Sequence, residues 1–214
     1  MPTDNDDPVF TDSVKAVQER YGSRRSYAGR GRGAGWQKAI TDDLRSFLAE
    51  LDMCYLGTAS AAGRPYIQYR GGPPGFIKVV DSSTLAFADF AGNRQFISTG
   101  NLAENPHAFL FLIDYVHQRR VKVWGTAVIR HDDPALVASL ADPAYDAVPE
   151  RALVFTVERW DVNCPQHIHQ RLPAPAVART VERLQSTISV LRSRLAAAGL
   201  PTDDAPVHTP ESSP

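Results

Sequence analysis

The residues best suited to chemistry lie between positions 64 and 105, in the run RPYIQYRGGPPGFIKVVDSSTLAFADFAGNRQFISTGNLAEN. Asn93, Arg94 and Gln95 follow a glycine and precede a helical pattern, so they read as the first turn of a helix. The first N–H groups of a helix have no partner within it, and the aligned peptide dipoles leave positive charge there, which favours a phosphate dianion. Arg94 adds a planar fork able to make two parallel bonds to phosphate, and Asn93 and Gln95 add neutral hydrogen bonds. Lys78, expected on an adjacent strand, supplies a second, point-like charge. Taken singly, each residue also fits an ordinary solvated helix start; it is the combination that indicates phosphate.

Other chemistries find less support. His167 and His169 alternate as on a strand but have no third partner nearby, so no metal site is expected. Cys164 has no identifiable base and is read as a buried structural thiol rather than a nucleophile. Neither a Gly-x-Ser-x-Gly elbow nor a Walker loop is present. Residues 23–35, SRRSYAGRGRGAG, combine four arginines with four glycines but follow no strand pattern, which favours a flexible linker over a phosphate loop.

The elements that must position these residues are short strands with a few helices. Strand patterns occur at 53–59, 65–70, 76–81, 84–89, 107–115, 119–130 and 152–160, separated by Gly-, Pro- and Ser-rich turns. Helical patterns occur at 11–22, opened by Thr11 or Asp12 and stopped by Gly22, and at 93–104 and 133–141. From Trp36 to Leu51 apolar residues recur at helical spacing, with Thr41 and Asp42 as the alternative cap of a shorter helix. Closely spaced strands without long βαβ units imply a mainly β protein, an antiparallel barrel with peripheral helices.

The cleanest periodicity is near the end of the chain. Val177, Val181, Leu184, Ile188, Leu191 and Leu195 are spaced 4, 3, 4, 3 and 4 apart, a heptad seam on one long helix. It either packs along its own barrel or pairs with the same helix of a second copy. The chain thus divides into a flexible segment with a short helix (1–35), a barrel (36–172), an amphipathic helix (173–200) and a disordered tail (201–214).

Of the 214 residues, 43% are hydrophobic and 22% charged, and the net charge of −1 gives no electrostatic case for nucleic acid. Two isolated cysteines exclude a disulfide framework and suit a reducing cytoplasm. The acidic start, MPTDNDDPVF, is not a signal peptide, and no run approaches the roughly 18 apolar residues of a membrane helix.

The order and spacing of the motifs resemble the pyridoxamine 5′-phosphate oxidase-like family of split β-barrels. Gly63-Arg64-Pro65, Arg70, Lys78, Phe87-Ala88-Asp89, Gly92-Asn93-Arg94-Gln95 and Glu104-Asn105-Pro106 carry the resemblance, with nine residues from Lys78 to Phe87. Arg119 to Gly125 looks like the family's next strand, and Arg159 to Ile168 like its closing block; the whole spans about residues 37–172. Gln95 replaces a family lysine, the insert Gly71 to Gly75 separates Arg70 from Lys78, and Arg120 stands where the family often has glutamine. The ending resembles a branch without an assigned substrate more than the vitamin oxidase itself.

The resemblance implies FMN held at a homodimer interface, with its phosphate on Lys78, Arg94 and their neighbours. Gln68, Tyr69 and Arg70 would run along the isoalloxazine, with Asp89, Asn93, Gln95, Arg120 and Trp160 completing the cofactor set. The function expected is an FMN flavoprotein, an oxidoreductase acting on an unidentified small molecule; no catalytic residue is assigned, because the flavin carries the chemistry. The alternatives are a split barrel holding F420 or haem, or a non-enzymatic dimeric flavin-binding module.

Overall fold

A computed structural model of the chain describes residues 9–28 and 36–202. Its strands are β1 (Met53–Ala59), β2 (Pro65–Gly71), β3 (Lys78–Val79), β4 (Thr84–Phe90), β5 (His107–Asp114), β6 (Arg119–Arg130) and β7 (Pro149–Val162). They form one seven-stranded sheet in the order β2-β1-β5-β6-β7-β4-β3, and every pairing is antiparallel. β2 and β3 are the ends of that order, yet Arg70 on β2 is ion-paired with Asp89 on β4. The sheet therefore curls until its two ends face each other, as a split antiparallel β-barrel.

The curl follows from the period-two pattern of the strands. Leu56, Leu85, Phe87, Leu110, Leu112, Val123, Leu153 and Phe155 all turn inward and are fully buried in one core. Each such side chain contributes roughly 1.5–3 kcal/mol by leaving water. β6 and β7 are the long strands, and their register shifts at Trp124/Gly125, where Gly125 meets the partner backbone. A Cβ on Gly125 would stand 1.9 Å from the Thr156 carbonyl oxygen, so only glycine fits.

The helices are α1 (Asp12–Arg20), α2 (Arg24–Tyr27), α3 (Asp42–Glu50), α4 (Ile97–Glu104), α5 (Pro134–Leu140) and α6 (Ala174–Ala197). Thr11 caps α1 through its hydroxyl, and Gly22 at φ +73° ends that segment. Of the two readings of 36–51, the shorter helix is observed: Thr41 Oγ1 accepts the Leu44 N–H at 3.3 Å and opens α3. Trp36 and Gln37 precede it in extended chain, and Gln37 bridges Trp160 through two backbone hydrogen bonds. α5, opened by Asp133 with Pro134 in its first turn, packs Leu140 against Ala86, Ala88 and Ala152 on the outer face of β4 and β7.

In the arginine- and glycine-rich stretch, Arg24–Tyr27 is a helical turn rather than open linker, and residues 29–35 lie outside the described residues. Phe10 packs its ring on Tyr27 and Trp36, at centroid distances of 5.7 and 5.3 Å. Residues 1–8 and 203–214, which include most of the expected tail, are also outside the described set.

The chain divides into two compact units, Met1–His169 and Gln170–Pro214. In the second, α6 runs for 24 residues, and the seam from Val177 to Leu195 is exposed along its length. Among the described residues no helix is long and apolar enough to cross a membrane.

Candidate functional site

Where the ends of the sheet meet, a cavity of about 240 Å³ opens between β2, β4, the start of β7 and the segment leading into α4. β2 turns Gln68 and Arg70 toward it, because their partners Leu56 and Cys54 on β1 face the core. β4 brings Asp89, and the loop after it brings Asn93, Arg94 and Gln95. Six of the residues expected to hold a cofactor thus share one groove.

Its floor is ionic. The Asp89 carboxylate, only 4% exposed, accepts hydrogen bonds from two guanidiniums: Arg70 through Nη1, and Arg151 through Nε at 2.8 Å. Arg151 reaches Asp89 because the two face each other across the β4–β7 ladder. Arg151 Nη1 also lies 3.2 Å from Glu150 Oε2, and Glu150 Oε1 lies 3.5 Å from Arg94 Nη2. Three arginines against two carboxylates leave the groove net positive. Arg70 Nε is buried without a hydrogen-bond partner, a polar atom available to a ligand or water.

The expected helix start at residue 93 is corrected. α4 begins at Ile97, because Arg94 (φ 59°) and Phe96 (φ 52°) adopt left-handed backbone that no helix continues through. Such a conformation costs about 1–3 kcal/mol for a non-glycine residue and concentrates at functional sites. Asn93 Oδ1 accepts the Gln95 N–H at 3.2 Å, closing the turn before it. Phe96, the N-cap residue, supplies no side-chain cap, and the first residues of α4, Ile97, Ser98 and Thr99, line the groove. The helix start is therefore at the groove, four residues later than its sequence suggested. Buried Ser98 donates to Gln68 Oε1 at 2.7 Å and fixes that amide.

Four other expected cofactor residues lie elsewhere. Tyr69 alternates with its neighbours to the opposite face of β2, 60% exposed, its ring against Tyr55. Lys78 pairs with Ala86, whose side chain is on the outer face, and it sits with Arg45, Ala49 and Pro74 rather than at the groove. Arg120, opposite Ile113, lies on the outer face of β6. Trp160 is in the core, where its indole N–H donates to the Ala39 carbonyl at 2.9 Å, so it anchors the chain before α3. In each case β alternation decides which face a side chain reaches. Arg151, Glu150 and Ser98 were missed; the one signal for the first two was a charged pair at the mouth of an apolar strand.

The cysteines and acidic groups offer no rival centre among the described residues. Burial pushes the Cys54 thiol up to about 12, outweighing the nearby Arg70 charge, so it stays protonated and inert. Cys164, expected to be buried, is exposed. His167 is at φ 64°, beyond the end of β7 and not on a strand. Glu50, Asp114 and His117 cluster, but the Arg119 guanidinium bonds Glu50 at 2.9 Å and Asp114 at 3.0 Å and neutralises them from within.

A split antiparallel barrel with a cationic groove at its seam defines the class of protein. The chain belongs to the pyridoxamine 5′-phosphate oxidase family, whose pattern matches residues 40–164. None of the curated proteins matches it. Among solved structures it is similar to HupZ of Group A Streptococcus, with 18% identity over 62% of this chain and 99% of that one, at a TM-score of 0.47. An FMN-binding protein of Syntrophomonas wolfei shows 11% identity over 71% and 97%, TM-score 0.47. An F420 reductase shows 19% over 55% and 94%, TM-score 0.40.

Proposed function

We propose that this protein is an FMN-binding flavoprotein, an oxidoreductase acting on a small molecule. The observation that carries the reading is the groove at the seam, where three arginines, the amides of Asn93 and Gln95 and the start of α4 converge. That donor set fits a terminal phosphate: charge-assisted bonds from the guanidiniums, a helix start, and an unpartnered Arg70 Nε. Arg94, 73% exposed and paired only loosely with Glu150, is free to swing onto an entering phosphate. Gln68, whose amide oxygen accepts from Ser98, keeps its N–H₂ as a donor for the rest of the ligand. Bound flavin would supply the hydride or electron transfer, so the chain's own task is to bind, orient and exclude water.

One copy does not enclose a whole flavin. The cavity of about 240 Å³ falls below the roughly 300–1,000 Å³ of ordinary ligand pockets. A homodimer completes it in this reading, and exposed apolar surface suits one: Ile67 and Tyr69 with Tyr55, Phe109 and Phe111 on the sheet, and the α6 seam in the second unit. The two free thiols suit the cytoplasm.

The test is titration of the purified apoprotein with FMN and with riboflavin, which lacks the phosphate. FMN should bind at least tenfold more tightly, the worth of one charge-assisted hydrogen bond of about 1.5 kcal/mol. Equal affinities would remove the phosphate site. A visible spectrum separates flavin from haem, whose Soret band is unmistakable, and turnover with reduced nicotinamide separates an enzyme from a binding module.

A further inference from the structure

Asp89 is a single carboxylate, 4% exposed, held by two guanidiniums that are themselves 15% and 14% exposed. One arginine neutralises one carboxylate; the second leaves a surplus cation largely out of water, which is unfavourable without another anion. Glu150 answers it only in part, since it is 25% exposed and divided between Arg151 and Arg94. We infer that Arg151 is a direct ligand of the phosphate, supplying the cation that Lys78 and Gln95 do not. The inference rests on the phosphate reading of the groove and names a residue of β7 that the motif order does not contain.

The geometry prepares Arg151 for that task. Its Nε is fixed on Asp89 at 2.8 Å and its Nη1 on Glu150 at 3.2 Å, and its Cζ stands 5.1 Å from the centroid of the Phe96 ring. Neither polar contact uses Nη2, and the residue lines the cavity beside Arg94 and the first turn of α4. A guanidinium already oriented by a carboxylate and an aromatic face loses little freedom on gaining another acceptor. Phe96 reaches that position through its left-handed backbone, so the unusual conformation before α4 and the placement of Arg151 belong to one arrangement. Lys78 is on the outer face and Gln95 is neutral, so Arg70, Arg94 and Arg151 are the cations at the groove among the described residues.

The experiment compares FMN with riboflavin on Arg151→Gln in the full chain, by quenching of flavin fluorescence. Arg151→Gln should weaken FMN roughly ten- to hundredfold and leave riboflavin within about twofold, since only FMN carries the phosphate. The single change leaves Asp89 with Arg70, one guanidinium to one carboxylate, and Arg151→Met, which keeps most of the side chain's length without its charge, is made beside it as a second uncharged variant. The same selective loss of FMN is expected there. Parallel weakening of both flavins would make Arg151 a structural counter-ion, and an unchanged FMN preference in both variants would show that it does not touch the phosphate; either result overturns the inference. A wild type that does not distinguish FMN from riboflavin would overturn the phosphate reading itself, and this inference with it, before any variant is made.

Discussion

Asp114, at the end of β5, accepts hydrogen bonds from the backbone N–H groups of Val116 and His117, from the His117 ring and from Arg119. Partial burial opposes its charge, but the donors at His117 and Arg119 outweigh that and hold its carboxyl below the usual range. A carboxyl whose folded pKa is lowered contributes stability above the unfolded value, near ~3.9, and loses it as pH falls through the folded value. Asp114→Asn should therefore cost about 1–2 kcal/mol at neutral pH, and the gap should close in acid below about pH 4. Urea melts across that range check the sign; a gap that persists unchanged in acid would mean that the charge is not what the turn uses. The same scale shows what residue type alone does not give, which is the face a side chain reaches. Lys78, Tyr69 and Arg120 have suitable chemistry, but a strand offers each side chain one face only, and theirs is the outer one.

At the scale of elements, Gly125 joins the two longest strands. A Cβ there would stand 1.9 Å from the Thr156 oxygen and 2.7 Å from Phe155 Cε1. Gly125→Ala should cost at least ~3 kcal/mol, because backbone on one side and a fully buried ring on the other leave nowhere to yield. Thermal melts that show a loss below about 1 kcal/mol would mean that the β6–β7 bulge relaxes freely. The strands were the legible part of this fold, since period-two alternation and Gly- or Pro-rich turns fixed β1, β2, β4 and β6 nearly to the residue. The 76–81 stretch yielded only Lys78–Val79, because the preceding insert folds back on the end of α3, with Gly75 N–H donating to the Leu51 carbonyl at 2.8 Å. The start of α4 was misplaced because left-handed backbone at Arg94 and Phe96 carries no signature in residue type. Arg151 stayed hidden for a different reason: it lies 62 residues from Asp89, and only the ladder brings them together.

For the whole molecule, the α6 seam provides a test of assembly. Its six apolar residues are exposed within their unit, and burying one leucine is worth roughly 1.5–3 kcal/mol. If the seam joins two copies, Leu184→Lys with Leu191→Lys should shift sedimentation from dimer toward monomer or aggregate. Dimers unaffected by both lysines would leave assembly to the apolar sheet face alone. The clasp of Arg70, Asp89 and Arg151 has a further consequence at this scale. It ties the first strand in the sheet order to the sixth, two strands that are not neighbours in the ladder. An anion that engages those arginines also loads the fastening of the barrel, so occupancy and closure become linked equilibria. The empty protein should breathe first along β2, and a full groove should slow amide exchange there before it slows it anywhere else.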